Sequence, residues 1–331
     1  MLPPQPPAWT DEDVESLRPR TLDEFVGQRP AREQLSIALR AARERRETPD
    51  HILFSGLPGL GKTSLAQIVA RELGATLHTT TGPALERARD LAGILTQLQE
   101  GDCLFIDEIH RIPAAVEEYL YPAMEDFAVD LVVDQGPNSR TVKLRLQRFT
   151  LLGATTREGL LSAPFRSRFG LPIRLEPYPP EDLAQIIERS ARLLKIQIDP
   201  DASLEIARRS RCTPRIANRY LRRVRDFAQI KGCPRVDIET ARVAFEGLRV
   251  DTHGLDELDR SILETLARAG APVGLKTLSA AVGEEDDTIE SLVEPFLLRQ
   301  GFLDRTPRGR ILTPLGYDVL GKRPRPAPSA E

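Results

Sequence analysis

An α/β fold with a parallel sheet, followed by an all-helical segment and a small helix-and-hairpin domain, is predicted by three observations in this 331-residue chain. A short apolar run, His51-Ile52-Leu53-Phe54, leads into Gly56-Leu57-Pro58-Gly59-Leu60-Gly61-Lys62-Thr63, and helical apolar spacing then runs from Ser64 to a stop at Gly74. Later apolar runs, Cys103-Leu104-Phe105-Ile106-Asp107-Glu108 and Phe149-Thr150-Leu151-Leu152-Gly153-Ala154-Thr155-Thr156, are continuous, as strands buried on both faces are. Beyond the proline-rich joint Glu176-Pro177-Tyr178-Pro179-Pro180 the apolar spacing is helical.

The glycine stretch fits the P-loop pattern G-x-x-x-x-G-K-[ST] between a strand and a helix. Such a junction is an anion cradle: glycines turn backbone N–H groups inward onto phosphate oxygens, and the helix dipole adds positive potential. Lys62 is expected to neutralise the β- and γ-phosphates, and the Thr63 hydroxyl to ligate Mg²⁺. The chain is therefore expected to bind a nucleoside triphosphate. Asp107 and Glu108 end the next long strand, where functional groups of parallel sheets emerge. Asp107 would hold Mg²⁺ through water and Glu108 would polarise an attacking water, which favours a hydrolase over a nucleotide switch. Thr155 and Thr156 end the following strand beside the expected γ-phosphate. Arg168 sits where a ring-forming ATPase would project a finger into its neighbour's nucleotide; Arg166 is a second candidate.

Composition sets bounds. At 40% hydrophobic and 29% charged, with a formal net charge of −3, the chain is expected to be globular and not a generally basic coat for nucleic acid. No apolar run approaches the roughly eighteen residues that cross a bilayer. The start, Met1-Leu2-Pro3-Pro4-Gln5-Pro6-Pro7, lacks the basic and apolar regions of a secretory leader. Three cysteines, Cys103, Cys212 and Cys233, lack metal-ligand spacing, so a reduced cytoplasmic protein is expected.

In chain order, residues 1–16 are expected to be a disordered tail, and order to begin near Leu17. A helix from Arg29 to about Arg46 would pack through Leu35, Ile37, Ala38, Leu39 and Ala42. Helices are expected near 91–98 and over 113–127. Residues 129–134 and 140–146 alternate in polarity around Gln135-Gly136-Pro137-Asn138-Ser139, a β-hairpin signal between two core strands. It reads either as an edge addition to the sheet or as a protruding dock with Leu131, Val133, Val142 and Leu144 on its apolar face. Helices follow at 183–194, 202–209, 214–230 and 238–248. The third has Thr213 as N-cap and Pro214 at its first position, so that Arg215 can reach back toward a phosphate. After a second linker, 249–254, three helices (256–269, 275–282, 286–300) and a basic strand-turn-strand make a winged helix. Glu284, Glu285, Asp286 and Asp287 at the start of its recognition helix would repel phosphates. Arg305, Arg308 and Arg310 of the wing are the better DNA contact, to phosphate and without sequence readout. The tail 322–331 is expected to be disordered.

These motifs together resemble the RuvB family, AAA+ motors of Holliday-junction branch migration, across about residues 17–320. The resemblance rests on ordered strings, among them Leu17-Arg18-Pro19, Leu104-Phe105-Ile106-Asp107-Glu108-Ile109-His110-Arg111, Tyr121-Pro122-Ala123-Met124-Glu125-Asp126, Thr213-Pro214-Arg215-Ile216-Ala217-Asn218-Arg219 and Gly301-Phe302-Leu303-Asp304-Arg305-Thr306-Pro307-Arg308-Gly309-Arg310. It implies an AAA+ ATPase domain over 17–180, a helical lid over 181–250 and a winged-helix domain over 251–321. It implies ATP and Mg²⁺ as cofactors. Leu17, Arg18 and Tyr178 would frame the adenine end, and Gly59, Gly61, Lys62, Thr63 and Ser64 the phosphates and Mg²⁺. Asp107 and Glu108 would form the Walker B pair, Thr156 the γ-phosphate sensor, Arg168 the trans-acting finger and Arg215 the second sensor. Glu125, Asp126 and Phe127 match a nucleotide-contacting stretch. The implied assembly is a homo-hexameric ring on duplex arms, with RuvA docked on the 129–146 hairpin and the RuvC resolvase reached through the complex. Departures are small: Leu57 for a frequent proline, variation at Phe165-Arg166-Ser167, and a basic Glu86-Arg87-Ala88-Arg89-Asp90.

Three other readings compete. A clamp-loader-like AAA+ subunit would lack the C-terminal wing. An ATP-gated DNA-binding regulator would need a recognition helix without the acidic start at 284–287. A protein unfoldase would need an aromatic pore loop, and none is evident near residues 79–83.

Overall fold

The computed structural model describes residues 16–132 and 141–323. It divides into two compact units, one formed by the chain up to Asp182 together with Thr213–Arg215, the other by Leu183–Cys212 and the chain from Ile216 onward. Residues 1–15 and 324–331 of the expected tails, and 133–140 of the hairpin with Val133, lie outside the described residues.

The first unit is built on a parallel sheet of β1 (Ile52–Ser55), β2 (Leu77–Thr81), β3 (Cys103–Asp107), β6 (Thr150–Thr155) and β7 (Leu171–Arg174) in the order β2-β3-β6-β1-β7. The chain reaches β6 only after β3, yet β6 lies between β3 and β1. This order sets the end of β6 beside the P-loop strand and the end of β3 one strand further out. β1 and β6 are buried along their whole length, which explains their unbroken apolar sequences. Cys103 is buried on β3, and burial pushes its thiol up to about 12, so it is an inert core group.

The helix Arg29–Arg45 packs through Ala31, Leu35, Leu39 and Ala42. Ile37 does not join them; it is 71% exposed. The buried positions recur at three- and four-residue steps, and position 37, two residues from Leu35 and Leu39, falls on the other side of the helix. The helices Ala88–Leu95 and Ala114–Glu125 cover the core around Leu104, Ile106 and Phe149.

The hairpin forms as β4 (Ala128–Val132) and β5 (Thr141–Arg145), antiparallel, with Val129 opposite Leu144. It is a separate two-stranded sheet, so the edge-addition reading is corrected: its pairing is confined to itself. Val129 is buried and Leu144 packs on the main core, whereas Val142 is 49% exposed.

In the second unit the helices Pro180–Leu193 (which begins in the first), Pro200–Arg209, Pro214–Ile230 and Ile238–Gly247 follow the predicted order. Helices Glu257–Ala269 and Leu275–Val282 precede a rod that changes register: Asp286–Thr288 is α-helical, Ile289–Val293 is a π turn, and Glu294–Arg299 is α-helical again. Pro295 cannot donate to a carbonyl in the previous turn, and the π turn absorbs that break. β8 (Leu303–Thr306) and β9 (Gly309–Leu312) form the wing, and backbone bonds between Val273 and Arg310 add a third rung. A closing helix, Pro314–Val319, went unforeseen.

A buried polar knot ties the helical segment of this unit to the winged helix. Arg211 bonds Asp256 and Asp259 at 2.5 Å each, with its guanidinium over the Phe296 ring at 5.1 Å. Asp259 is fully buried, and burial pushes its carboxyl up to about 7 against the pull of Arg211. Arg211 and Cys212 both have positive φ, 50° and 59°, a costly pair for non-glycine residues.

Candidate active site

The P-loop leaves β1 at Gly56 and enters the helix Lys62–Leu73 through Gly61, with φ of 139° at Gly56, 81° at Gly59 and 105° at Gly61. These conformations demand glycine, and so does space. A Cβ on Gly59 would stand 2.9 Å from the Arg215 Cβ, and one on Gly61 would stand 2.9 Å from the Phe25 ring. The loop is thus pressed between the Leu22–Phe25 turn and the start of the helix Pro214–Ile230.

Lys62 is buried and its ammonium donates to the carbonyls of Gly56 (2.7 Å) and Leu57 (3.0 Å). Burial lowers its pKa to about 8, with Glu108 and Asp107 pulling upward and Arg215 downward. Those interactions place Lys62, both carboxylates and Arg215 within one electrostatic neighbourhood. Thr63 and Ser64, half-buried, follow in the first turn.

Asp107 Oδ1 accepts the Glu108 amide at 2.9 Å. Glu108 itself has φ of 49°, a left-handed conformation that turns the chain sharply after β3. Its Oε2 accepts the Thr156 hydroxyl at 3.1 Å and lies 3.3 Å from His110 Nδ1. That nitrogen is also 2.9 Å from Thr155 Oγ1, which accepts the Arg157 amide. Burial holds the His110 pKa below its usual value. A carboxylate is thereby fixed between a hydroxyl and an imidazole, and His110, quoted in the strand-end string, had been assigned no role.

Tyr178 is buried, its phenol pushed well above the usual range by burial, and it shares a hydrogen bond with the Gln28 side chain. Gln28 also forms a reciprocal pair with the Glu176 backbone at 2.5 and 3.0 Å. A Cβ on Gly27 would meet the Tyr178 ring at 2.8 Å. The segment bearing Leu17 (buried) and Arg18 (half-buried) is thus linked through Gly27 and Gln28 to the joint after β7. Sequence reasoning missed Phe25, Gly27 and Gln28; a glycine beside an amide in a proline-stiffened segment is the signal available.

Arg168 belongs to a second cluster. Its guanidinium lies over the Tyr121 ring at 4.2 Å, Nη1 donates to the Pro164 carbonyl at 2.6 Å, and Nε stands 3.1 Å from Glu125 Oε1 as an ion pair without hydrogen-bond geometry. Tyr121 and Ser162 both donate to Glu117 Oε1 at 2.5 Å. Glu125 and Asp126 are exposed, with Asp126 4.0 Å from Lys143. Phe127 instead packs between His51 and Phe149, with Arg148 above it at 5.0 Å. Arg166 is exposed at the end of the short helix Ala163–Arg166.

The wing arginines are unequal. Arg308 is exposed at the turn, whereas Arg305 and Arg310 are bonded to the buried Glu294. No cluster of three or more candidate metal ligands occurs among the described residues. A P-loop Mg²⁺ needs none, because phosphate and water oxygens fill most of its shell. The glycine cradle, the Thr63 hydroxyl and the Asp107 carboxylate fit such an ion with its nucleotide.

A parallel sheet with this strand order, a P-loop lysine beside an Asp-Glu strand end, and an arginine returning from a helical segment define an AAA+ P-loop ATPase. Comparison with known proteins narrows the class. Residues 17–175 match the model of the Holliday junction DNA helicase RuvB P-loop domain, 178–251 the RuvB AAA lid domain and 252–321 the RuvB C-terminal winged helix domain. The chain is 57% identical over 322 residues to the Holliday junction branch migration complex subunit RuvB of Thermobifida fusca, covering 96% of this chain and 92% of that protein. It is 56% identical to the Myxococcus xanthus subunit, covering 96% and 94%. Among solved structures, the Thermotoga maritima RuvB Holliday junction branch migration motor is 48% identical with a TM-score of 0.85, over 93% of this chain and 99% of that one. The chain belongs to the RuvB family.

Proposed function

We propose that this chain is the ATP-driven motor of Holliday-junction branch migration in recombination and recombinational repair, drawing duplex arms through a junction as a homo-hexameric ring. The observation that carries the reading is the joining, in one chain, of the Lys62–Glu108–Thr156–Arg215 site to a basic wing, along a chain matched throughout by relatives of that name.

In this reading Gly59, Gly61, Lys62, Thr63 and Ser64 hold the phosphates, and Thr63 and Asp107 hold Mg²⁺. Leu17, Arg18 and Tyr178 frame the adenine end. Bound ATP supplies the phosphoryl group and Mg²⁺ its countercharge. Glu108 polarises the attacking water, Thr156 reports the γ-phosphate to it, and Arg215 adds positive charge from the helical segment. Arg168 acts on the neighbouring subunit's nucleotide, with Glu125, Asp126 and Phe127 on the same contact; a trans arginine makes turnover depend on assembly. The helical lid is assigned to 181–250 and the winged helix to 251–321, with Arg305, Arg308 and Arg310 on duplex phosphates. RuvA docks on the β4–β5 hairpin, and RuvC joins through the complex, in the cytoplasm. No helix among the described residues is long and apolar enough to cross a membrane.

The test is a synthetic four-way junction with ATP and Mg²⁺, with and without RuvA, using Lys62→Ala as control. Resolution into duplex arms by the intact protein alone or with RuvA, and not by the variant, supports the motor. ATP hydrolysis with an intact junction under every condition would move a clamp-loader-like or regulatory role to the front.

A further inference from the structure

β8 and β9 place Arg305 directly opposite Arg310, a cross-strand pair of like charges that is unfavourable by itself. One carboxylate resolves it. Glu294 Oε1 accepts Nε of Arg305 (2.8 Å) and Nε of Arg310 (2.9 Å), while Oε2 accepts Nη2 of each (2.8 and 3.0 Å). Both guanidiniums are therefore gripped by the same edge, and Nη1 of each takes no part in these bonds.

Glu294 is 1% exposed and lies among Ile262, Leu278, Val293, Leu297 and Leu303. Burial alone would raise its pKa, but the bonds from Arg305 and Arg310 outweigh that and hold it ionised. Its aim is set by the backbone: the Glu294 amide donates to the Ile289 carbonyl, closing the π turn, and Pro295 follows. An unbroken α-helix would present position 294 at a different angle. A second acid stands outside this clamp. Glu290 Oε1 accepts Arg305 Nη2 at 2.6 Å and lies 3.7 Å from Arg310 Nη2, and it is partly exposed where Glu294 is not.

Resting on the reading of the wing as the duplex contact, we propose that Glu294 is a positioning residue that presents Arg305 and Arg310 as a paired fork for DNA phosphates. In the same proposal Glu290 competes with phosphate for Arg305. The buried carboxylate cannot leave, so it fixes both arginines; the outer one gives way to the duplex, whose phosphates form a dense array of charge.

The two acids separate positioning from simple charge. Duplex binding of the full chain is measured by fluorescence anisotropy over a range of salt, for wild type, Glu290→Gln, Glu294→Gln, Arg310→Lys, Arg305→Ala and Arg308→Ala, with thermal unfolding to check the fold. Glu290→Gln should tighten binding roughly 3-fold, whereas Glu294→Gln and Arg310→Lys should weaken it roughly 5- to 20-fold at constant salt. Attraction by net charge alone requires both glutamine variants to tighten and Arg310→Lys to be silent; that pattern overturns the proposal. Should Glu294→Gln unfold, Arg310→Lys still decides, because it keeps the charge and loses the fork. If Arg305→Ala and Arg308→Ala leave affinity unchanged, the wing is not the contact, and both readings fall in a way the glutamine pattern alone does not produce.

Discussion

The Thr156 hydroxyl donates to Glu108 Oε2 at 3.1 Å, joining the ends of two strands, β6 and β3, that are neighbours in the sheet. The proposed phosphate sensor and the proposed water-activating carboxylate therefore share a bond. Glu108→Gln keeps the shape and removes the charge. It should leave nucleotide affinity within about threefold of wild type and slow turnover by ~10²–10⁴. Phosphate release and equilibrium nucleotide binding, measured together, check this. Near-normal turnover in Glu108→Gln would remove it as the base.

Lys62 should give nucleotide binding a basic limb. Its free-state pKa of about 8 lies below the ordinary lysine value, and a bound phosphate raises it by stabilising the charged form. Below about pH 8 the ammonium is present and affinity should be flat. Above it, binding must take up a proton, and affinity should fall up to about tenfold per pH unit until the bound-state pKa is reached. A Lys62→Arg variant, whose guanidinium does not titrate, should lack that limb whatever its absolute affinity. Titration with a fluorescent ATP analogue between pH 7 and 10 distinguishes the two profiles.

Gly59→Ala introduces a Cβ against Arg215 at 2.9 Å, on a residue with φ of 81°. The backbone strain alone should cost about 1–2 kcal/mol. ATP affinity should drop more than thermal stability, because the displaced elements are the loop and the Arg215 turn. A variant with unchanged affinity would show that the close approach is without consequence.

Arg168→Ala should retain ATP binding and lose turnover by ~10³–10⁵. In the proposed trans role the lost charge belongs to a neighbour's site, so adding the variant to wild type should depress turnover more steeply than dilution does. Linear mixing would place Arg168 in its own subunit's chemistry. Tyr121→Leu, which removes the ring under the guanidinium, should give a milder loss.

Arg211→Ala strands the fully buried Asp259 and the Asp256 beside it. Breaking one partner of a buried ion pair typically costs about 3–5 kcal/mol. Urea unfolding should register that loss. Restoring stability by adding Asp259→Asn to Arg211→Ala would locate the cost in the orphaned carboxylate.

The P-loop was legible because its chemistry is local. Gly59, Gly61, Lys62 and Thr63 are consecutive or nearly so, and the backbone geometry they require is written in the glycines themselves. Asp107 and Glu108 were legible for the same reason, standing at the end of an apolar run that only a doubly buried strand explains. Ile37 was misplaced against its own spacing: two residues from Leu35 and Leu39, it lies across the helix from them, and burial follows the three- and four-residue steps. The hairpin's strands were foreseen, but the choice between joining the main sheet and standing apart from it was left open, since pairing partners are a long-range property.

By itself, then, the sequence determined which core strands are buried and where the phosphate loop turns, because these follow from side-chain period and from backbone freedom at single residues. Only the tertiary structure decided which distant groups meet. Thr156 reaches Glu108 because β6 inserts beside β3. Arg305 and Arg310, equal in the sequence to Arg308, became bound partners of Glu294 because a π turn aims that carboxylate into the core. Such encounters depend on the order of strands and the register of a helix, and no local spacing encodes either.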